Sequence, residues 1–348
     1  LWGDSTLGYH VVNVVLHVAA AVLGALVLRR LEVPGAYLAA AIFALHPVHV
    51  ESVAWLSELK NTLSAVFYLS AALLYLRFDE SRHKRWYGAA LALFLLGLLC
   101  KTVTATLPAA LLVIFWWQRG RLSWRRDGLP LVPWFVVGAL AGVFTAAVER
   151  KLIGAEGESF DLTAIERCLI AGRAMWFYLG KLVWPADLMF MYPRWNIDAT
   201  AWWQYLFPAA ALALLGGLWW LRRRTRSPLA GMLFFVGTLF PALGFLNVYP
   251  FRYSFVADHF QYLASWGVIS LAAAGLALWL GRRHQWQHPV GYAVCFVLLA
   301  ALAGLTRQQS RMYAGFETLF RTTIARNPTC WMAYNNLGIA LAERGQVD

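Results

Sequence analysis

Apolar residues come in long runs separated by short polar breaks. Ten of these runs approach the roughly 20 residues that a bilayer-spanning helix needs. They lie near 9–28, 35–52, 60–77, 86–101, 103–118, 131–149, 203–221, 229–247, 263–281 and 289–306. The pattern predicts an all-α integral membrane protein of about ten spans. Basic residues gather at alternate breaks: Arg29/Arg30, Arg77/Arg82/Lys84/Arg85, Arg119/Arg121/Arg125/Arg126, Arg222/Arg223/Arg224/Arg226 and Arg282/Arg283. Cytoplasmic loops carry an excess of Lys and Arg, so these five are expected inside. Residues 51–60, Lys101, 150–202, 249–262 and everything after 306 then lie outside. The first residues fall outside too and the chain opens at Leu1 without methionine, so an earlier start is expected.

One segment tests that scheme. Residues 164–184 are apolar enough to read as a span, but counting them would invert every later loop and put Arg222–Arg226 outside. They are therefore expected as a helix lying on the outer face or re-entering from it, with Arg173 and Lys181 on its polar side.

Composition agrees with a membrane protein. The chain has 348 residues, 60% of them hydrophobic, with 14% charged and a mean hydropathy of +0.55. Soluble domains average about 25% charged residues. The net charge of +12 could suggest nucleic acid, but the cations sit between apolar runs and report topology instead. Four cysteines, Cys100, Cys168, Cys295 and Cys330, show no metal or redox spacing; Cys100 and Cys295 read as small core hydrophobes.

The richest chemistry falls where the second run ends. His46, His49, Glu51, Glu58, Lys60 and Asn61 crowd into sixteen residues. Ionisable groups at membrane depth are costly and point to a functional site, although a polar turn between two spans is the plainer reading. His46 precedes Pro47, so it reads equally as a catalytic group or as a buried ring that satisfies a freed backbone carbonyl. In the first run His10, Asn13 and His17 share one helix face and are expected to act as interhelical glue. Lys101 sits at the tip of a tight hairpin, where it either snorkels or meets a lipid phosphate. Asp258-His259 reads as a site pair or as a helix N-cap ahead of 263–281, and Arg252 as a site cation or an interface marker.

After residue 306 the composition changes. Tyr313, Phe316, Phe320 and Ile324 recur at helical spacing, which predicts an amphipathic connecting helix over 307–326. Asn327-Pro328 breaks it. Tyr334-Asn-Asn-Leu337-Gly338, with Leu341 and Gly345, reads as the first helix of a tetratricopeptide repeat (TPR), so 327–348 is expected to begin a repeat domain. Such a helix cannot bury its apolar face alone, so further repeats are expected beyond Asp348.

Together these features resemble a known family. His46-Pro47-Val48-His49-Val50-Glu51-Ser52-Val53-Ala54-Trp55, Tyr9-His10 through Asn13, Lys101-Thr102 through Pro108 and the repeat tail are similar to the transmembrane-and-tetratricopeptide (TMTC) type of protein O-mannosyltransferase, in the form of a bacterial relative. The resemblance covers nearly the whole chain. It implies a GT-C fold of about eleven spans, a polytopic membrane domain over 1–306, and an active face and repeat tail outside a bacterial inner membrane. The donor would be a polyprenyl-phosphate-linked sugar, with mannose or another hexose moved to Ser or Thr hydroxyls of protein with inversion. Partners would be the bilayer, that donor and acceptor proteins reached through the repeats, with no nucleic acid.

Further matches run through Val256-Ala257-Asp258-His259-Phe260-Gln261-Tyr262, with His259 where an arginine is usual. Ser57-Glu58-Leu59-Lys60-Asn61 follows, with Leu59 and Asn61 replacing charged residues. Transfer needs a carboxylate to take the hydroxyl proton and donors to stabilise the departing phosphate. The resemblance puts the base in an outer loop ahead of Leu1, so the chain by itself is expected to be inactive. His46, His49 and Glu51 are then supporting residues, with Glu51 orienting His49 or Lys60 or binding acceptor. Lys101, Arg252, His259 and Lys60, in that order, are expected at the donor phosphate. Asp258, Arg194 and Tyr262 complete the candidates. No cofactor is implied beyond the donor. The resemblance leaves room for a divalent metal, but no carboxylate pair has metal spacing, and no metal ligands are assigned. The competing readings are a membrane-anchored TPR scaffold and a transporter or lipid-linked-sugar handling protein. The latter calls for paired repeats with broken helices at mid-membrane, which are not visible.

Overall fold

The computed structural model describes residues 3, 5–281 and 288–342. The Arg282/Arg283 pair and Gly345 lie outside the described residues. Among those described there are fourteen α-helices, several short 3-10 turns and no β-strand.

The first four helices frame the polar segment. Helix α1 (Thr6–Arg30) packs against α2 (Ala36–Leu45), and after a break come α3 (Val50–Ala54) and the long α4 (Leu59–Ser81). The expected span at 35–52 is bent by 56° at His46-Pro47. Proline lacks the N–H that would continue the helix and clashes with the preceding turn. Helices α5 (Lys84–Cys100) and α6 (Leu107–Arg119) follow one another closely but do not pair as the expected hairpin: α5 packs against α4, and α6 against α10 (Ser227–Leu239). A 3-10 turn over Thr102–Thr106 occupies the start of the expected 103–118 run. Helix α7 (Val132–Val148) follows.

By length and composition, five helices can cross a membrane, and a sixth crossing forms if the bent α2–α3 pair counts as one. The other four expected spans are α5, α6, α10 (Ser227–Leu239) and α11 (Ser265–Gly281), with 17, 13, 13 and 17 residues. The chain is an integral membrane protein. Helix α8 (Ala164–Val183) has 20 residues but is not among the helices apolar enough to cross. It begins on a capping box, Thr163 with Glu166, and buries one face that includes Leu169, Ile170, Ala174, Met175 and Tyr178.

Close packing depends on small residues. Gly24 of α1 admits the Trp266 ring of α11, which would lie 2.2 Å from an added Cβ. Gly267 of α11 faces the Gly231 carbonyl of α10 in the same way, at 2.4 Å. Such contacts let helix backbones approach closely inside a membrane. Helix α9 (Leu206–Leu221) meets α8 where Gly172 abuts Pro208.

One end of the bundle is cationic. Arg119 donates to both Asp79 and Asp127, Arg82 to Asp79 at 2.6 Å, and Arg30 to Glu80. Arg226 reaches the Trp116 carbonyl at 3.4 Å. Four of the basic clusters thus meet at one end.

The tail differs from a single helix over 307–326. Helix α12 (His288–Ser310) runs on past 306, a 3-10 turn covers Arg311–Tyr313, and α13 (Phe316–Arg326) starts afresh after Gly315. Glycine is a weak helix former and here adopts an extended conformation. Helix α14 (Trp331–Ala342) carries Tyr334, Leu337, Gly338 and Leu341 and packs on α13. Leu319, Phe320, Cys330 and Ala333 are buried with Phe190 of the segment that follows α8.

Candidate functional site

The break at Pro47 frees backbone carbonyls at the end of α2, and the histidines answer them. His49 Nδ1 donates to Phe43 O at 2.7 Å, and His17 Nε2 to Ala44 O at 3.2 Å. Thr306 Oγ1 donates to Leu45 O at 2.7 Å. His46 caps the following turn: its Nδ1 accepts from the Val48 N–H at 3.4 Å, and its Nε2 donates to Leu182 O at 3.0 Å. The second nitrogen of His17 takes the Tyr262 hydroxyl at 2.7 Å. That of His49 lies 3.0 Å from the Ser265 hydroxyl. His17 and His46 thus each have one donating and one accepting nitrogen, the pattern of a neutral imidazole. His46, His49 and Tyr262 hold the broken span together.

A carboxylate cluster sits beside them. Glu51, 2% exposed, accepts the backbone N–H of His259 at 2.9 Å through Oε2. Its Oε1 lies 3.1 Å from His259 Nδ1, without a hydrogen-bonding angle. It thus meets His259 rather than His49 or Lys60. Glu58, 1% exposed, is held by Lys101 Nζ at 3.2 Å and Lys60 Nζ at 3.1 Å, with His259 Nε2 at 3.9 Å. Lys101 also donates to Asn61 Oδ1 at 2.9 Å. Its ammonium is thus held within the chain between Glu58 and Asn61. Asn61 Nδ2 ties Ser52 Oγ at 3.0 Å to His259 O at 2.8 Å, and Asn13 donates to Ser52 O at 3.2 Å and Val53 O at 2.8 Å. Asn13 and His17 are the interhelical glue that their spacing predicts.

Asp258 is buried, and Tyr192 donates its hydroxyl to both carboxylate oxygens at 3.0 and 3.1 Å. It is no N-cap of the following helix, because it lies in a 3-10 turn over Asp258–Gln261 and α11 starts only at Ser265. Burial, reinforced by repulsion from Glu51, pushes its pKa well above the usual carboxylate range. Burial also raises the Tyr192 phenol well above its ordinary value, with Asp258 adding to the effect. Gln261 is fully buried with both amide atoms unbonded. Among the described residues no three His, Cys, Asp or Glu side chains gather in an arrangement that would hold a metal ion.

Two expected site cations lie elsewhere. Arg194 donates to Phe251 O at 3.0 Å and Ser159 O at 2.6 Å, pinning those two loops together. Arg252 is exposed and rests 5.8 Å from the Trp331 ring of α14. The structure therefore brings together Glu51, Glu58, Lys60, Asn61, Lys101 and His259, with Asn13 and Ser52 bonded beside them. No local signal marks Tyr192 as the partner of Asp258, 66 residues away.

The arrangement offers ammonium groups beside buried carboxylates at one end of an apolar bundle. Comparison with known proteins gives it context. The profile of the family described as Dolichyl-phosphate-mannose-protein mannosyltransferase matches residues 1–148. Protein O-mannosyl-transferase F38B6.6 of Caenorhabditis elegans is 26% identical over 362 aligned residues, covering 98% of this chain and 49% of its own length. Protein O-mannosyl-transferase Tmtc1 of Drosophila melanogaster is 42% identical over 106 residues, 30% of this chain and 12% of its own. Its paralogue Tmtc2 is 36% identical over 134 residues, 36% of this chain and 14% of its own. The chain thus spans at most about half the length of these relatives. No solved structure matches it significantly.

Proposed function

Because the chain belongs to the protein O-mannosyltransferase family that includes the TMTC proteins, we propose that it is the membrane part of a glycosyltransferase that moves a hexose, mannose first among them, from a polyprenyl-phosphate-linked donor to Ser or Thr hydroxyls. The observation that carries this reading is the buried cluster of Glu51, Glu58, Lys101 and His259 at one end of the bundle. Lys101 and the half-exposed Lys60 share Glu58, so they can turn ammonium hydrogens toward a departing phosphate, where preorganised charge is most effective. Glu51 and Asp258 support the site rather than take the acceptor's proton. Glu51 holds the His259 backbone, and burial raises the Asp258 pKa well above the usual carboxylate range. Attack opposite the phosphate inverts the anomeric centre. The reading sets ten crossings in a bacterial inner membrane, with the site and the tail facing away from the cytoplasm. Helix α14 would open a TPR array that presents acceptor protein.

The test uses the full-length protein in nanodiscs, polyprenyl-phosphate mannose and a Ser/Thr-rich peptide. Transfer is expected in the wild type, with kcat falling on the order of 10²-fold in Lys101→Ala. Unchanged transfer in both Lys101→Ala and Glu51→Gln would remove the site from consideration. No transfer by the wild type from any polyprenyl-phosphate hexose would favour the scaffold.

A further inference from the structure

A cavity opens at the seam between the bundle and the tail. It holds about 410 Å³, within the ~300–1,000 Å³ usual for small-molecule sites. Pro47 and the 185–188 turn make one wall, the last turns of α12 another, and α13 the third. None of the Glu51, Glu58, Lys101 and His259 side chains lines it.

Its chemistry is that of an anion site. Arg311 and Arg326 both line it, against a single carboxylate, Asp187. The Arg311 side chain has no hydrogen-bond or ion-pair partner among the described residues. Arg326 gives Nη1 to the Leu188 carbonyl, which leaves its other nitrogens for a ligand. Gln308, Thr318 and Thr322 add neutral donors, the two threonines one turn apart on α13. The 185–188 turn is fixed from behind by Lys181, whose Nζ donates to the carbonyls of Ala186 and Asp187 at 2.6 and 3.2 Å. The wall facing the arginines is therefore a built turn.

The surroundings say where the anion comes from. Leu305, in the span-length helix α12, lines the cavity and is 40% exposed. Val183 and Trp184, which lead into the 185–188 wall, are 77% and 76% exposed. In an integral membrane protein, exposed apolar residues meet lipid, and tryptophan sits at headgroup level. The cationic cavity thus opens beside a lipid-facing rim.

We infer that this cavity binds the phosphate of an anionic membrane lipid. Arg311 and Arg326 take the phosphate oxygens as planar forks, Gln308, Thr318 and Thr322 bond the remaining polar headgroup atoms, and the chains leave past Leu305. A soluble phosphate monoester shares the recognised group but not the apolar rim. Because Arg326 also holds the 188 turn, an occupied cavity clamps α13 to the bundle.

The experiment uses the full-length protein in mild detergent and native mass spectrometry. Phosphatidylglycerol or phosphatidylcholine is added to separate samples, and 1 mM glycerol 3-phosphate to a third. Phosphatidylglycerol is expected to stay bound and to raise the melting temperature, with phosphatidylcholine and glycerol 3-phosphate doing neither. Arg311→Glu is expected to lower phosphatidylglycerol retention about tenfold. The matched change Arg321→Glu, on an exposed residue paired with Glu317 outside the cavity, should leave it unchanged. Thr318→Val, which keeps the charge, should weaken retention less. Retention of glycerol 3-phosphate, lost in Arg311→Glu, would keep the phosphate site but assign it to a soluble ligand. Equal retention of the two lipids, or retention unaffected by Arg311→Glu, would overturn the inference.

Discussion

At the scale of single residues, the most constrained carboxylate is Asp258. Its pKa is raised by burial and by the neighbouring Glu51, so over the range between its unfolded and folded values only the folded state carries the proton. Stability from this group is full below the unfolded pKa, near 4, and declines as pH rises toward the folded value, by at most ~1.4 kcal/mol per pH unit. Asp258→Asn keeps an acceptor for the Tyr192 hydroxyl and removes the titration. Its melting temperature in detergent is expected to rise relative to wild type between pH 5 and 8; a widening deficit with pH would contradict the assignment. Much of this site was legible in advance, because ionisable residues stand out against apolar runs. Glu51, Lys60, Lys101, Asp258 and His259 were all picked out, and all but Asp258 meet around the two glutamates. The pairings were not legible. Lys101 faces Glu58 across 43 residues, and Tyr192 faces Asp258 across 66; neither contact follows from spacing along the chain. The histidines show the reverse case, since their proximity to Pro47 was visible but their service to the freed carbonyls depended on the bend.

At the scale of helices, apolar periodicity located every one of the ten runs as a helix, and it misjudged ends and interruptions. The bend at Pro47 and the restart at Gly315 follow from residues that punctuate helices, yet run length alone passed over both. Close approach is the other illegible feature, because a glycine in an apolar run does not announce which neighbour it admits. Gly267 admits the α10 backbone, and an added Cβ would sit 2.4 Å from the Gly231 carbonyl. Gly267→Ala is expected to destabilise the protein by about 1–3 kcal/mol, the usual cost of overpacking. Gly275→Ala on the same helix meets nothing within 4 Å and should be neutral or slightly stabilising. Thermal melting of both variants in one detergent checks the contrast, and equal melting points would show that the α10–α11 contact is not tight.

For the whole molecule, charge is divided between the two ends of the bundle. Helix α4 starts beside Glu58 and Asn61 and ends at Asp79, bound to Arg82 and Arg119; its 23 residues separate the two ends by about 35 Å. An impermeant thiol reagent is expected to label the exposed Cys168 from outside intact cells. A cysteine placed at Arg224 in a Cys168→Ser background should react only after permeabilisation. The opposite pattern would invert the topology. The long-range pairings also carry a timetable. Glu51 is synthesised 208 residues before His259, and Glu58 only 43 before Lys101. At ~5–20 residues per second, Glu58 waits seconds for its lysine, whereas Glu51 waits ~10–40 s for the backbone that bonds it. The polar end of the bundle thus closes late during biogenesis, and the insertion machinery must shelter an unaccompanied carboxyl group while the 208 residues up to His259 are made.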